Sequence, residues 1–282
     1  MAQNFGLLNS NVLDITPRQA HIGTFKLSWL EAGDGSVTLL LLHGIGSNAE
    51  SWEGQIEYFS SRYRVIAWNA PGYAQSAPLP AADAAPTSYA NALKALLDYT
   101  GSNRVILVGH SLGAIIAARF ALLYPDNIEK LVLSAPAGGY NCQDSTQLPA
   151  TLQQRLDDIT SLGPQGMAES RATRTLTPAA DDETIRRAKA SMASVSVQGY
   201  QNAVRLLACG HLQKDLAKLA LPFDVMCGTE DQTTPLKKVD ADTAVSNRQR
   251  LLTLEGAAHA SYLEYPLLFN NTLEMILSPA SL

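Results

Sequence analysis

Apolar residues along this chain arrive in short blocks rather than long runs. Residues 37–42, 64–68, 104–108, 130–134, 223–227 and 250–254 are rich in Val, Ile and Leu, and each has the length of a β-strand. None of them alternates apolar with polar, so they fit strands covered on both faces, as in a parallel sheet. Helical spacing fills the gaps between them. Residues 88–100 carry Leu93, Leu96 and Leu97 before Gly101 ends the helix, and residues 111–124 run as a helix to Pro125. Strand and helix in alternation predict an α/β fold with a doubly wound, mostly parallel sheet.

The rhythm changes over residues 138–214, where strand-like blocks vanish and Gln, Ala, Ser, Arg and Met recur at helical spacing. This segment reads as a mostly helical insertion. Helices are expected at 148–162, stopped by Gly163-Pro164, and at 181–193, where Asp181, Asp182 and Glu183 sit at the positive end of the helix dipole. Residues 81–86 read as a surface loop.

Composition then removes several function classes. At 282 residues, 46% hydrophobic and 17% charged, the chain has the make-up of a soluble globular protein that buries a full core without staples. Its net charge is −5 and no basic run exceeds Arg186-Arg187 or Lys237-Lys238, which argues against nucleic acid as a partner. Residues 1–14 lack the basic start and apolar run of a secretory signal, and no stretch reaches the roughly 18 apolar residues of a membrane span. Cys142, Cys209 and Cys227 are odd in number and without CxxC spacing. They read as reduced thiols of a cytoplasmic protein, with neither a disulfide framework nor a zinc site.

The most informative residues are Gly109-His110-Ser111-Leu112-Gly113, which follow the block at 104–108 and open the helix at 111–124. This is G-x-S-x-G in a strand-turn-helix context. A serine at the apex of so sharp a turn sits in strained backbone, and strand and helix approach only if the positions two before and two after it lack a Cβ. Ser111 is the candidate nucleophile, and the helix N-terminus beneath it suits an oxyanion. A tight turn with a capping serine is the plainer alternative.

A serine nucleophile needs a base. Of five histidines, His259 lies in the loop Glu255-Gly256-Ala257-Ala258-His259-Ala260 after the block at 250–254, where an imidazole can swing over Ser111. His43 opens the loop after the first strong strand, and a surface or cap role suffices for His211. His110 lies inside the elbow, oriented wrongly for a base but adjacent to the nucleophile as a substrate contact. The orienting carboxylate belongs at another strand end between serine and histidine. Asp231, in Gly228-Thr229-Glu230-Asp231, qualifies, and the adjacent Glu230 stays open because one residue changes the direction. The loop His43-Gly44-Ile45-Gly46-Ser47-Asn48 offers a second backbone donor, so the N–H groups of Ile45 and Leu112 form the expected oxyanion hole. That loop also reads G-x-G-x-x-A after a strand, a dinucleotide fingerprint, but the fingerprint wants an acid about 20 positions on. Asn69 stands there instead.

Taken together these residues resemble the α/β-hydrolase superfamily, over about residues 23–277. The likeness rests on His43-Gly44, on Asn69-Ala70-Pro71-Gly72-Tyr73-Ala74-Gln75-Ser76 against the family's D-x-P-G-x-G-x-S, and on the elbow at Ser111. It continues through Gly228-Thr229-Glu230-Asp231 with Thr234-Pro235, and Gly256-Ala257-Ala258-His259 with Glu264-Tyr265-Pro266. Asn69 and Ala74 depart from the usual Asp and Gly in a loop that is structural in the family, which touches stability more than chemistry. The resemblance implies a core of 1–137 and 215–282, with 138–214 as a helical cap, or lid, inserted after the sixth strand.

Within the superfamily the chain is similar to lidded carboxylesterases, enol-lactone hydrolases and hydrolases of meta ring-cleavage products. The carbon-carbon hydrolases usually carry Asn before the nucleophile, a Gly-rich oxyanion loop and a Trp soon after the histidine; here stand His110, Ile45-Gly46-Ser47 and Ala260-Ser261. Haloalkane dehalogenases and epoxide hydrolases carry Asp where this chain has Ser111. The resemblance thus implies a serine hydrolase of a small ester or lactone, with Ser111 attacking, His259 shuttling the proton and Asp231 orienting it. No metal or cofactor is called for. Carbon-carbon hydrolysis is the alternative, followed by a cofactor-free oxygenase or a non-catalytic ligand-binding homologue. Tyr140, Met167, Met192 and Tyr200 are candidate pocket residues, each equally open to packing inside the lid. An anionic substrate would call on Arg171, Arg174 or Arg205, and self-association into a homo-oligomer stays open.

Overall fold

The computed structural model describes residues 15–143 and 148–278; the N-terminal stretch 1–14, read above for a signal, lies outside them. Among the described residues eight strands form one sheet: β1 Thr16–Ile22, β2 Phe25–Ala32, β3 Thr38–Leu42, β4 Arg64–Asn69, β5 Val105–His110, β6 Ile128–Ser134, β7 Phe223–Gly228 and β8 Arg248–Leu254. Their order is β1-β2-β4-β3-β5-β6-β7-β8. β1 pairs antiparallel with β2, and β2 with β4, while every later pairing is parallel. In β3, β5 and β7 every residue is buried, as strands with helices on both faces require.

The β1–β2 hairpin is absent from the expected blocks. β1 reads Thr-Pro-Arg-Gln-Ala-His-Ile and is mostly exposed, and Lys26, Ser28 and Glu31 interrupt β2. An edge hairpin with one wet face needs no continuous apolar run.

The first three helices are α1 Glu53–Phe59, α2 Pro86–Thr100 and α3 Leu112–Leu123. The insertion between β6 and β7 contributes α4 Ala150–Arg171, α5 Asp182–Ala193, α6 Val197–Cys209 and α7 Leu212–Leu216. The C-terminal third adds α8 Leu236–Thr243, α9 Ser261–Glu264 and α10 Pro266–Leu277. α2 packs on α3, and α1 on α10, against the sheet. The expected stop falls at Gly163, where α4 breaks into two helical segments across a kink. Gly163 adopts φ 66°, ψ 178°, and Pro164 begins a second helical segment, a first-turn position that proline tolerates because its missing N–H has no partner there. Asp181 caps α5 by accepting the Thr184 N–H at 2.7 Å.

The insertion docks on the core backbone to backbone. Gly72, at φ 94°, lies so near Gly199 of α6 that a Cβ on Gly199 would stand 2.1 Å from the Gly72 carbonyl oxygen. The Ser196 hydroxyl donates to the same carbonyl at 2.9 Å, and Tyr73 bridges to Val195. Asn69, where the family's loop carries Asp, is buried and uses both ends of its amide. Oδ1 accepts the Ala49 N–H at 2.9 Å and Nδ2 donates to Ser28 Oγ at 3.0 Å, a donation no carboxylate can make. Ala74 holds φ 46°, a strained region for a residue with a Cβ.

Among the described residues no helix is long and apolar enough to cross a membrane.

Candidate active site

Reversal of strand order at β3 leaves a crevice at the carboxyl ends of β3 and β5, the place where open α/β sheets bind ligands. Loops after β3, β5, β7 and β8 meet there, and with the insertion they enclose a cavity of about 750 Å³.

Ser111, between β5 and α3, holds φ 53°, ψ −114°, a conformation costing on the order of 1–3 kcal/mol in a non-glycine residue. The surroundings hold it there. Its N–H donates to the Ser134 carbonyl at 2.9 Å, while its own carbonyl accepts the N–H groups of Ala114 and Ala137 at 3.1 Å each. The glycines on either side permit the approach: a Cβ on Gly109 would lie 2.6 Å from the Gly113 carbonyl oxygen, and one on Gly113 2.6 Å from that of Leu42. Ser111 lines the cavity, and its hydroxyl forms no hydrogen bond among the described residues.

Asp231 is buried in the loop after β7. Oδ1 accepts the N–H groups of Thr233 and Thr234 at 2.8 Å each, and Oδ2 accepts the Thr234 hydroxyl at 2.8 Å. His259 Nδ1 lies 2.8 Å from the same Oδ2. Burial alone would raise the Asp231 pKa, but the hydrogen bonds from His259 and Thr234 outweigh it and hold the carboxyl below its ordinary value. An ionised Asp231 keeps the proton of His259 on Nδ1 and leaves Nε2 with a free lone pair. Glu230, left open above, is exposed to solvent; it is Asp231 that the fold brings onto His259.

The other two buried histidines stay neutral. His110 packs 4.7 Å, ring centre to ring centre, from His259 and 4.8 Å from Tyr262. Burial first, then the neighbouring His259 and His43, hold its pKa well below the ordinary value. Burial also pushes His43 down to about 4. The Ala70 N–H donates to His43 Nε2 at 3.0 Å, so Nδ1 carries the proton and donates to the Gly44 carbonyl at 2.8 Å. His43 thereby ties the loop after β3 to the loop after β4. Within that tied loop the Ile45 N–H, like that of Leu112 at the start of α3, donates to no acceptor among the described residues, and both residues line the cavity.

Of the expected pocket residues, His110, Tyr140, Met192 and Tyr200 line the cavity, with Met192 lying against Gly46. Met167 does not. It is fully buried in α4, turned into the packing of the insertion, because helical spacing shows which residues are apolar but not which neighbour they face. Three contributors escape the sequence reading. Tyr262 is stacked on Trp52 at 4.1 Å and reaches Ser47 Oγ at 2.9 Å, a pairing across the whole chain that no local pattern announces. Arg155 lies on the cavity wall and donates to the Tyr200 hydroxyl at 3.2 Å. A usable signal exists for it: Arg155 shares the Leu152–Ile159 face of α4, a cation on an apolar stripe. Thr234, matched above only as part of a motif, braces the acid.

No group of three or more His, Cys, Asp or Glu side chains is placed to hold a metal ion among the described residues. The family model for the alpha/beta hydrolase fold matches residues 37–266, and the chain belongs to that family. Solved structures are similar over almost the whole length. A thermophilic esterase from Thermogutta terrifontis superposes with a TM-score of 0.81 at 21% identity, covering 93% of this chain and 98% of that one. The enol-lactonase of Burkholderia xenovorans gives 0.81 at 19%, covering 93% and 100%. A bromoperoxidase from Bacillus anthracis gives 0.81 at 22%, covering 93% and 99%. Likeness at these identities is a likeness of fold, shared by neighbours of differing chemistry.

Proposed function

We propose that this hydrolase cleaves a carboxylic ester or lactone through an acyl-enzyme on Ser111. The observation that carries the reading is the buried Asp231–His259 contact at 2.8 Å, opening on the same cavity as a serine held in a strained elbow. Ser111 Oγ attacks the carbonyl carbon as His259 Nε2 takes its proton. The Ile45 and Leu112 N–H groups, without acceptors among the described residues, receive the developing oxyanion, each contributing about 3 kcal/mol by analogy with measured oxyanion donors. Collapse breaks the C–O bond and His259 gives its proton to the alkoxide, which departs as the alcohol of an ester or stays on the acyl chain as the hydroxyl of an opened lactone. Water then attacks the acyl-enzyme through the same base, releasing the acid and restoring Ser111. Asp231 keeps the imidazole in one tautomer and stabilises its charged form.

In this reading the insertion, residues 138–214, is the lid that selects substrate, with Tyr140, Met192 and Tyr200 on its cavity side. Similarity to an esterase and an enol-lactonase agrees with ester or lactone chemistry. Three free cysteines suit the reducing cytoplasm. The test is turnover of short-chain p-nitrophenyl esters and simple lactones by wild type and Ser111→Ala. Wild type is expected to hydrolyse at least one of them, and Ser111→Ala to lose about 10⁴-fold or more in kcat while unfolding as cooperatively as wild type. Undiminished turnover by the variant overturns the assignment. Inertness towards every ester, with rapid clearance of a coloured ring-cleavage dienol, moves it to carbon-carbon hydrolysis.

A further inference from the structure

The described cavity wall carries four cationic side chains, Arg155, Arg171, Arg174 and Lys238, and no Asp or Glu. On a chain with a net charge of −5, that is a local reversal of sign. Two of the four are already compensated from outside the wall. Arg171 is ion-paired with Asp158, and Lys238 with Asp242 at 2.7 Å. Arg174 is exposed and has Nε committed to the Ser170 carbonyl at 3.1 Å. Arg155 differs from all three. It is half-buried, forms no ion pair among the described residues, and its hydrogen bond there is the one from Nη1 to Tyr200.

A guanidinium presents five N–H donors in a planar fork that matches a carboxylate with two parallel bonds. Most of the Arg155 fork has no acceptor among the described residues. Tyr200, accepting from Arg155, keeps its own phenolic proton, for which no acceptor is described either. A half-buried cation beside a hydroxyl, in the cavity lined by Ser111, has the donors to hold an anion.

We infer that the substrate carries an ionised carboxylate besides the bond that is cleaved, and that Arg155 and Tyr200 hold it. This rests on the acyl-transfer reading above and narrows its substrate to anionic esters or lactones. It also replaces the earlier candidates: Arg171 is spent on Asp158, Arg174 is exposed, and Arg205, off the cavity wall, donates to Asn202. Arg155 is a specificity residue, distant in role from the reacting atoms.

The test compares matched pairs that differ in one charge. Monomethyl succinate, glutarate and adipate carry it on the acyl side and γ-acetoxybutyrate on the alcohol side, each set against its neutral methyl ester. Wild type is expected to prefer the anionic member of at least one pair in kcat/KM, and Arg155→Met to reduce that preference about 10- to 100-fold, the range of a charge-assisted hydrogen-bonded contact. Arg155→Lys is expected to restore part of it. A residue that merely props Tyr200 would change the melting temperature without changing the ratio. Absence of preference in every pair, or a preference untouched by Arg155→Met, overturns the inference while leaving the serine-hydrolase reading standing. If no ester is turned over, that reading has failed. Calorimetric titration of Ser111→Ala with monomethyl glutarate then decides the inference: binding that disappears on adding Arg155→Met supports it, and equal or absent binding overturns it. If Arg155→Met does not fold, inhibition of wild type by glutarate against its diamide decides, with equal potency as the overturning result.

Discussion

The two sides of the cavity are built on different principles. On the sheet side, Ser111, Asp231 and His259 are buried and held largely by backbone: three main-chain hydrogen bonds lock Ser111, and two backbone N–H groups grip Asp231. On the insertion side Arg155, Met192 and Tyr200 reach the cavity from helices and Tyr140 from the loop after β6. Arg155 and Tyr200 meet through side-chain atoms alone, and Tyr140 is 46% exposed. Groups fixed by main-chain hydrogen bonds keep their place when only a side-chain atom is changed and lose it when the backbone is disturbed, whereas side chains on the insertion can vary one at a time. That division suits chemistry kept constant below and selectivity adjusted above.

The sharpest way to break the comparison is to damage the sheet side alone. Asp231→Asn keeps the shape but loses the charge that sets the His259 tautomer, and kcat should fall about 10³- to 10⁴-fold for every substrate alike. A loss confined to anionic esters would place selectivity on the sheet side and contradict the division.

Next in size is a response to acid. His43 has its folded pKa lowered to about 4 from 6.5, so as pH falls the unfolded chain takes up its proton first. Stability from this group is therefore full above about pH 6.5 and drains away between there and about pH 4, by on the order of 3 kcal/mol. His110, also held low by burial, acts in the same direction. Denaturant unfolding at steps across that window should show a shallower decline in His43→Gln than in wild type. Parallel declines would mean that the tether between the loops after β3 and β4 is not the buried imidazole.

A smaller effect tests the seam between the regions. Gly199→Ala puts a methyl against the Gly72 carbonyl, where backbone meets backbone and neither yields easily. About 2–3 kcal/mol of stability should be lost, and KM should rise more than kcat falls as the insertion shifts over the cavity. An unchanged melting curve would show that the insertion is not seated on Gly72.

Legibility in the sequence follows the same boundary. The parallel strands are legible because double-sided burial leaves uninterrupted apolar blocks, and Ser111, Asp231 and His259 stand out as candidates because each follows such a block. Gly109 and Gly113 add a steric signature. Across the seam the signal fades for physical reasons. Met167 and Met192 look alike in sequence, yet one is packed inside the insertion and the other lies on the cavity wall. Arg155 shows in the sequence only as a cation on an apolar helix face, with nothing to say that this face borders the cavity. The β1–β2 hairpin hides because an edge with a wet face has no apolar run to show, and the Ser47–Tyr262 contact because it joins residues 215 positions apart.

The proposed reaction turns on a single serine, Ser111. Incubation of the intact protein with a fluorophosphonate probe, followed by mass spectrometry of the whole chain and its peptides, tests it most directly. One phosphonyl group per chain is expected, on the peptide containing Ser111, with labelling abolished in Ser111→Ala and slowed in Asp231→Asn. Label on another residue, or a protein that stays unlabelled while hydrolysing esters, would contradict it.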